Sequence, residues 1–283
     1  MEVIVRNQLP STIQSVCTFQ QPKQNNLTMG SSNQMTQEEI QYLTLLLGII
    51  RSKNWQAFGY AIISNPDVFQ SFSRTLSRSS ELNGMTILHA CVRYNPPVHI
   101  VKILLALVPE ASSCVDCLRR TPLHVAAGTR AGLPLIKLLV EAHPAACDVQ
   151  DKDGKTPLHL ACDIACELFN GDRDKAREPP SYNVVKTLLR ASPLAAPVED
   201  NEGMSALEYA IFSDASVAVV KLLQYETKRQ CETQRRSNVT LKNSRPSDEE
   251  KSTIEDEEYE FVALIPSSPP RKGGFLRRRP VRS

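Results

Sequence analysis

Apolar residues return along this chain in two kinds of cluster. The first is short and opens on a threonine or serine: Thr121-Pro122-Leu123-His124-Val125-Ala126-Ala127 and Thr156-Pro157-Leu158-His159-Leu160-Ala161-Cys162, with looser copies at Thr86-Ile87-Leu88-His89-Ala90-Cys91-Val92 and Ser205-Ala206-Leu207-Glu208-Tyr209-Ala210-Ile211. The second sets a single lysine in an aliphatic run, at Lys102, Lys137, Lys186 and Lys221. Taken together they predict a helix–turn–helix unit stated four times, and recurrence of this kind points to a stacked repeat architecture.

The first helix of each unit has a physical reason to start where it does. Thr or Ser at the N-cap accepts an orphan backbone N–H, and Pro122 and Pro157 take the first helical position, where a missing N–H costs nothing. Ser205 with Glu208 has the form of a capping box. An acid stands five residues before each cap, at Glu81, Asp116, Asp151 and Asp200, marking units of 35, 35 and 49 residues. From cap to lysine is 16 residues in copies one, two and four but 30 in copy three, so copy three carries a 14-residue insertion. Gly84, Gly154 and Gly203 supply a turn three residues after the acid, whereas Arg119 stands there in copy two.

Outside the repeats the pattern changes. Residues 1–35 are rich in Gln, Asn, Ser and Thr and lack the apolar content to offset the entropy of ordering, which predicts disorder. Thr36-Gln37-Glu38-Glu39 has capping-box form, and Ile40, Leu43, Leu46, Leu47 and Ile50 follow at helical spacing. Trp55, Phe58, Ala61 and Ile62, then Val68, Phe69, Phe72 and Leu76 beyond Asn65-Pro66-Asp67, predict a divergent helix pair over residues 53–80. That pair would cover the open end of the stack, as repeat arrays require. After about Arg229 apolar periodicity ends: residues 248–260 hold eight acids and one lysine, and residues 265–283 hold six basic residues and no acid. Such blocks predict a disordered interaction tail.

The run from Asp151 to Cys162, with its aliphatic second helix, resembles the ankyrin repeat, over roughly residues 81–228. The resemblance implies an all-α ankyrin-type repeat solenoid whose helix–turn–helix units are joined by β-hairpin-like loops. The resulting divisions are a disordered segment at 1–35, a helical cap at 36–80, repeats at 81–115, 116–150, 151–199 and 200–228, and a disordered charged tail at 229–283. In such a stack, loop tips and first helices line a concave surface. Position by position, that surface takes Arg93, Tyr94, Leu118, Arg120, Thr129, Lys152, Asp153, Lys155, Asp163, Tyr209 and Phe212 as candidate partner-binding residues. Arg93, Arg119, Arg120, Arg130, Lys152 and Lys155 would make its middle basic and suited to an acidic or extended peptide. The insertion, near residues 165–181, would extend the first helix through Leu168 and Phe169 and then form a mobile flap beside the groove.

Charge and chemistry narrow the function. A net charge of +2 over 283 residues gives no global pull toward nucleic acid, leaving the basic tail as the segment suited to it. No apolar run reaches the length of a membrane span, and the brief apolar stretch near the N-terminus, preceded by Glu2, argues against a secretory signal. Eight scattered cysteines then read as reduced thiols in cytosol or nucleus. Cys114-Val115-Asp116-Cys117 and the Cys162/Cys166 pair raise a metal or redox alternative, but a zinc site needs both pairs to meet. One histidine per repeat, at His89, His124 and His159, cannot converge on one ion across helices packed 8–10 Å apart; the resemblance implies instead that each ties neighbouring units by hydrogen bonds. No GxSxG, phosphate-cradling glycine loop or HExxH occurs. The expectation is a non-enzymatic adaptor that needs no cofactor and binds an unidentified protein partner. A nuclear regulator acting through its tail is the alternative, with Arg271, Lys272 and Arg277-Arg278-Arg279 as import signal and Ser268 as a proline-directed phosphorylation site.

Overall fold

The computed structural model describes residues 35–79, 82–166, 168–169 and 178–243. Apart from Met35, which is buried, the disorder expected of residues 1–35 lies outside the described residues, as do Glu81 and the charge blocks of the tail. The chain divides at Thr240 into two units; of the second, only the end of a helix, to Asn243, is described.

Three helices come first: α1 (Gln37–Arg51), α2 (Trp55–Ser64) and α3 (Pro66–Arg78). Four pairs follow: α4 (Ile87–Arg93) with α5 (Val98–Leu107), α6 (Pro122–Gly128) with α7 (Leu133–Ala142), α8 (Pro157–Cys162) with α9 (Tyr182–Ala191), and α10 (Ala206–Phe212) with α11 (Val217–Asn243). The first helices α4, α6, α8 and α10 pack in one column and the second helices α5, α7 and α9 in another, with α1 on α4 and α2 on α5. The recurring lysines 102, 137 and 221 are exposed, marking the solvent side of helices whose other face buries Ile100, Val101 and Leu104, or their counterparts Leu135, Ile136 and Leu139.

Three features differ from expectation. The end of the stack is covered by α1 and α2 rather than by a pair within residues 53–80, because α1 carries its own apolar face of Tyr42, Leu43, Leu46, Ile49 and Ile50. α3 lies against it, with Tyr42 and Phe72 edge to face at 4.9 Å. Each of α5, α7 and α9 leads into a 3₁₀ turn, at Pro109–Ser112, Pro144–Cys147 and Pro193–Ala195. The signal was a proline seven residues after Lys102, Lys137 and Lys186, which stops the helix and opens the turn; Lys221 has none. Finally, α11 runs past residue 228: Thr227 donates to the Ala196 carbonyl at 3.3 Å, Gln230 is buried, and Glu226 pairs with Arg229 at 2.9 Å. Polar residues with good helix propensity continue it where apolar periodicity has ended.

The histidines fasten one repeat to the next. The Thr86 amide donates to His89 Nδ1 at 3.1 Å, so the ring proton lies on Nε2, which donates to the Arg120 carbonyl of the following unit at 2.9 Å. The same relay runs from Thr121 through His124 to Lys155 and from Thr156 through His159 to Val198. All three rings are completely buried. Burial pushes His89 and His124 down to about 4, against the backbone carbonyl that would favour the charged form.

The acids before the caps hold the loops. Asp116 Oδ1 accepts the Leu118 and Arg120 amides, Asp151 Oδ1 those of Asp153 and Lys155, and Asp200 Oδ1 those of Glu202 and Met204, all between 2.8 and 3.0 Å. Loop tips then bond backbone to backbone along the stack: Cys117 to Asn83 at 2.7 Å, Lys152 to Leu118 at 2.9 Å and Asn201 to Asp153 at 3.0 Å. Among the described residues these loops form only one isolated antiparallel bridge, Glu199 with Ser205, rather than full hairpins.

Gly84, Gly154 and Gly203 turn at φ between 76 and 79°, and Arg119 takes the equivalent place at φ 61°. A Cβ on Gly154 would lie 2.7 Å from the Asn201 side-chain oxygen and 2.8 Å from its amide nitrogen, whereas one on Gly203 would meet nothing within 4 Å. Gly154→Ala is therefore expected to cost about 2–4 kcal/mol, Gly203→Ala about 1 kcal/mol, and Arg119→Gly to be neutral or to stabilise by up to about 1 kcal/mol. Chemical denaturation of the three variants checks the order; an equal loss at both glycines would contradict the packing of the tips.

The histidines also set a pH response. The pKa of His89 and of His124 lies near 6.5 in the unfolded chain and near 4 in the fold, so the unfolded state binds more protons between these values and stability falls as pH drops through that window. About 2 kcal/mol per histidine should be lost by pH 5 for His89 and His124. Urea midpoints at pH 7.5 and pH 5 measure it, and the difference should shrink in His124→Gln.

Candidate functional site

Loop tips and first-helix ends form one continuous face, and its side chains fall into two groups. Leu118, Lys152, Asp153 and Phe212 are exposed, Leu118 by 41 % and Phe212 by 74 %. The backbones of the three tip residues are engaged in joining repeats, through the Leu118, Lys152 and Asp153 carbonyls, so their side chains are left to solvent.

The other candidates are engaged within the molecule. Arg120 is buried, with its Nε 2.8 Å and Nη2 2.7 Å from Asp116 Oδ2. Asp163 is buried beside Lys155 at 3.3 Å and accepts the Ala165 amide at 2.9 Å. Lys155 also lies 4.5 Å above the Tyr209 ring, whose hydroxyl donates to Asp200 Oδ2 at 2.7 Å. Burial of the Lys155 ammonium is outweighed by Tyr209 and the Asp163 carboxylate, which hold it above the ordinary lysine value. Thr129 is half-buried and donates to the Val125 carbonyl at 2.7 Å. Arg130 donates to the Ala161 carbonyl.

The expected basic middle of the face is thus corrected. Of its six cations only Arg119 and Lys152 are exposed, because carboxylates, carbonyls and aromatic rings of the same stack take the others.

The insertion departs from expectation as well. Leu168 and Phe169 do not extend α8, which ends at Cys162. Asp163 leaves the helix at ψ 103° and turns its carboxylate onto its own backbone and Lys155, a competition with helical bonding that Asp commonly wins. The chain then returns across the preceding unit. Leu168 covers Gly128, its carbonyl accepts from Arg120 Nη1 at 3.0 Å, and the Phe169 ring lies 3.9 Å beneath the Arg93 guanidinium and 5.3 Å from that of Arg120. Arg93 also lies 5.5 Å from the ring of half-buried Tyr94. Sequence reasoning found the insertion but not this seat, for which the absence of a side chain at Gly128 was the available signal. The flap expected at residues 170–177 lies outside the described residues, as do Ser268 and the basic cluster.

Thiol and metal chemistry gain no support from the arrangement. Burial pushes Cys147 and Cys162 up to about 12 and raises Cys91 and Cys114, opposite to the shift an activated thiolate needs. Among the described residues no three His, Cys, Asp or Glu side chains gather as a metal site would require, and no helix is long and apolar enough to cross a membrane.

Comparison with curated protein sequences gives no match. A family model described as ankyrin repeats, in three copies, matches residues 88–178 and 130–235. These matches run from Leu88, in the first of the four helix pairs, to Arg235, in the last, and include the Asp-held loops, and the chain belongs to the ankyrin repeat family.

Proposed function

We propose that this chain is a non-enzymatic adaptor that holds a partner protein on the face formed by its loop tips and first helices. Ankyrin repeats generally mediate protein–protein interaction. The observation that carries the reading here is the division of labour at the tips: backbone bonds join the repeats and ion pairs within single units hold Arg120 and Lys155, while Leu118, Lys152, Asp153 and Phe212 project to solvent. Exposed apolar and aromatic side chains beside scattered charges are the composition of a protein interface. Arg93 and Tyr94, half-buried at the end of α4, belong to the same surface. The six basic residues of 265–283 support entry to the nucleus alongside a cytoplasmic pool.

Leu118→Asp with Lys152→Glu and Phe212→Ser alters exposed side chains only and should leave the melting temperature within a few degrees, since surface substitutions usually change stability by about 0.5 kcal/mol or less. Proximity labelling in cells should then lose a defined set of proteins that the unaltered chain captures. An unchanged set, with the variant folded, would remove the interface from this face.

A further inference from the structure

The seat of Leu168 and Phe169 has the parts of a ligand site. Asp116 fixes the Arg120 guanidinium from one side through Nε and Nη2, which leaves Nη1 aimed at a backbone carbonyl. Arg93 supplies a flat cation over an aromatic ring at 3.9 Å, the geometry in which a guanidinium and a π-face attract. Gly128 opens the floor: a Cβ there would collide with Leu168 Cδ1 and stand 2.9 Å from Cγ, so the aliphatic side chain occupies space that any other residue would fill. One aliphatic side chain, one carbonyl and one ring are therefore read at three separate points.

The occupant is an insertion, not part of the repeat. Units one, two and four reach their second helix without it. Leu168 and Phe169 lie outside any helix, both half-buried, and Arg120 Nη1 bonds the Leu168 carbonyl. A segment attached in this way competes for its seat at the high effective concentration of a tethered ligand.

We propose that Leu168-Phe169 is an internal mimic seated in the partner site, and that the partner segment taken there is an extended stretch of protein carrying an aliphatic residue followed by an aromatic one. The inference rests on the adaptor reading above and names the chemistry its partner presents. The carbonyl of the aliphatic residue faces Arg120, its side chain enters over Gly128, and the aromatic ring slides under Arg93. Basic residues flanking the pair are disfavoured by the two guanidinium groups. The partner gains access by exchanging with the mimic, so the insertion sets the threshold for binding.

The probe is a fluorescein-labelled peptide copying residues 164–171, with serine in place of its cysteine, titrated by anisotropy into the full chain. Leu168→Ser/Phe169→Ser should bind it about tenfold or more tightly than the unaltered chain, since the tethered competitor is gone. Adding Arg93→Ala or Gly128→Ala to that variant should return binding to the unaltered level; Gly128 is helical, so the alanine itself favours the fold. Equal binding by the unaltered chain and the double variant, both folded, overturns the proposal, as does a gain that neither Arg93→Ala nor Gly128→Ala reverses. Should the double variant lose its cooperative melt, Phe169→Leu keeps an apolar cover while freeing Arg93, and it must still bind more tightly than the unaltered chain; no gain overturns the proposal equally. Loss of partners in the Leu118/Lys152/Phe212 variant without peptide binding would reject the mimic and keep the adaptor, whereas peptide binding with an unchanged partner set would do the reverse.

Discussion

The buried Thr–His–carbonyl relay is the interaction on which the stack depends. Each ring lies completely buried in its own first helix and reaches the backbone of the following unit, from His89 to Arg120, from His124 to Lys155 and from His159 to Val198. Such a bond contributes only about 1 kcal/mol net, but leaving either end unpaired in the core costs more than that. The relay therefore selects one registry between neighbouring repeats more than it supplies bulk stability. Apolar burial along the two helix columns supplies the rest, and the Asp-held loops continue the same registry outward to the tips.

Registry at the tips has a consequence for recognition. Asp116, Asp151 and Asp200 each cap their own loop, and nearby cations are held inward: Arg120 by Asp116 itself, Lys155 between Asp163 and Tyr209. What reaches solvent is a sparse set of side chains, some apolar. The face is consequently less basic than a count of Arg and Lys suggests. In the proposed adaptor, selectivity comes from shape at places such as Gly128, where a missing side chain makes room, and from fixed guanidinium groups rather than from net charge.

Much of this was legible in the residues. The caps follow from local rules that tertiary packing does not override, since a cap is set within four residues; the repeat period and the 14-residue insertion follow from recurrence along the chain. The histidine role came from the family resemblance, its bonds reaching 31 to 39 residues along the chain. Two kinds of feature were not. The 3₁₀ turns were signalled by Pro109, Pro144 and Pro193 but fell between the motifs that organise the pattern. The seat of Leu168 and Phe169 depends on contacts 40 or more residues apart in sequence, Gly128 with Leu168 and Arg120 with Leu168, and no periodicity reports a contact of that range. Arg120 and Asp163 read as groove charges for a different reason: they were placed by their position in the unit, whereas Asp116, four residues before Arg120, and Lys155, eight before Asp163, take up their charges inside the same unit. α11 outlasted its apolar pattern because polar residues with good helix propensity continue it, and Thr227 and buried Gln230 give no apolar signal.

The relay can be observed directly. Two-dimensional ¹⁵N–¹H correlation through the imidazole rings at pH 7 reports tautomer and charge for each histidine separately. His89, His124 and His159 should each appear neutral with the proton on Nε2; His89 and His124 should stay neutral as the pH is lowered to about 5, and burial lowers His159 below the ordinary histidine value as well. Rings carrying the proton on Nδ1, or titrating near 6.5 like exposed histidines, would contradict the coupling from which the rest of the structure is built.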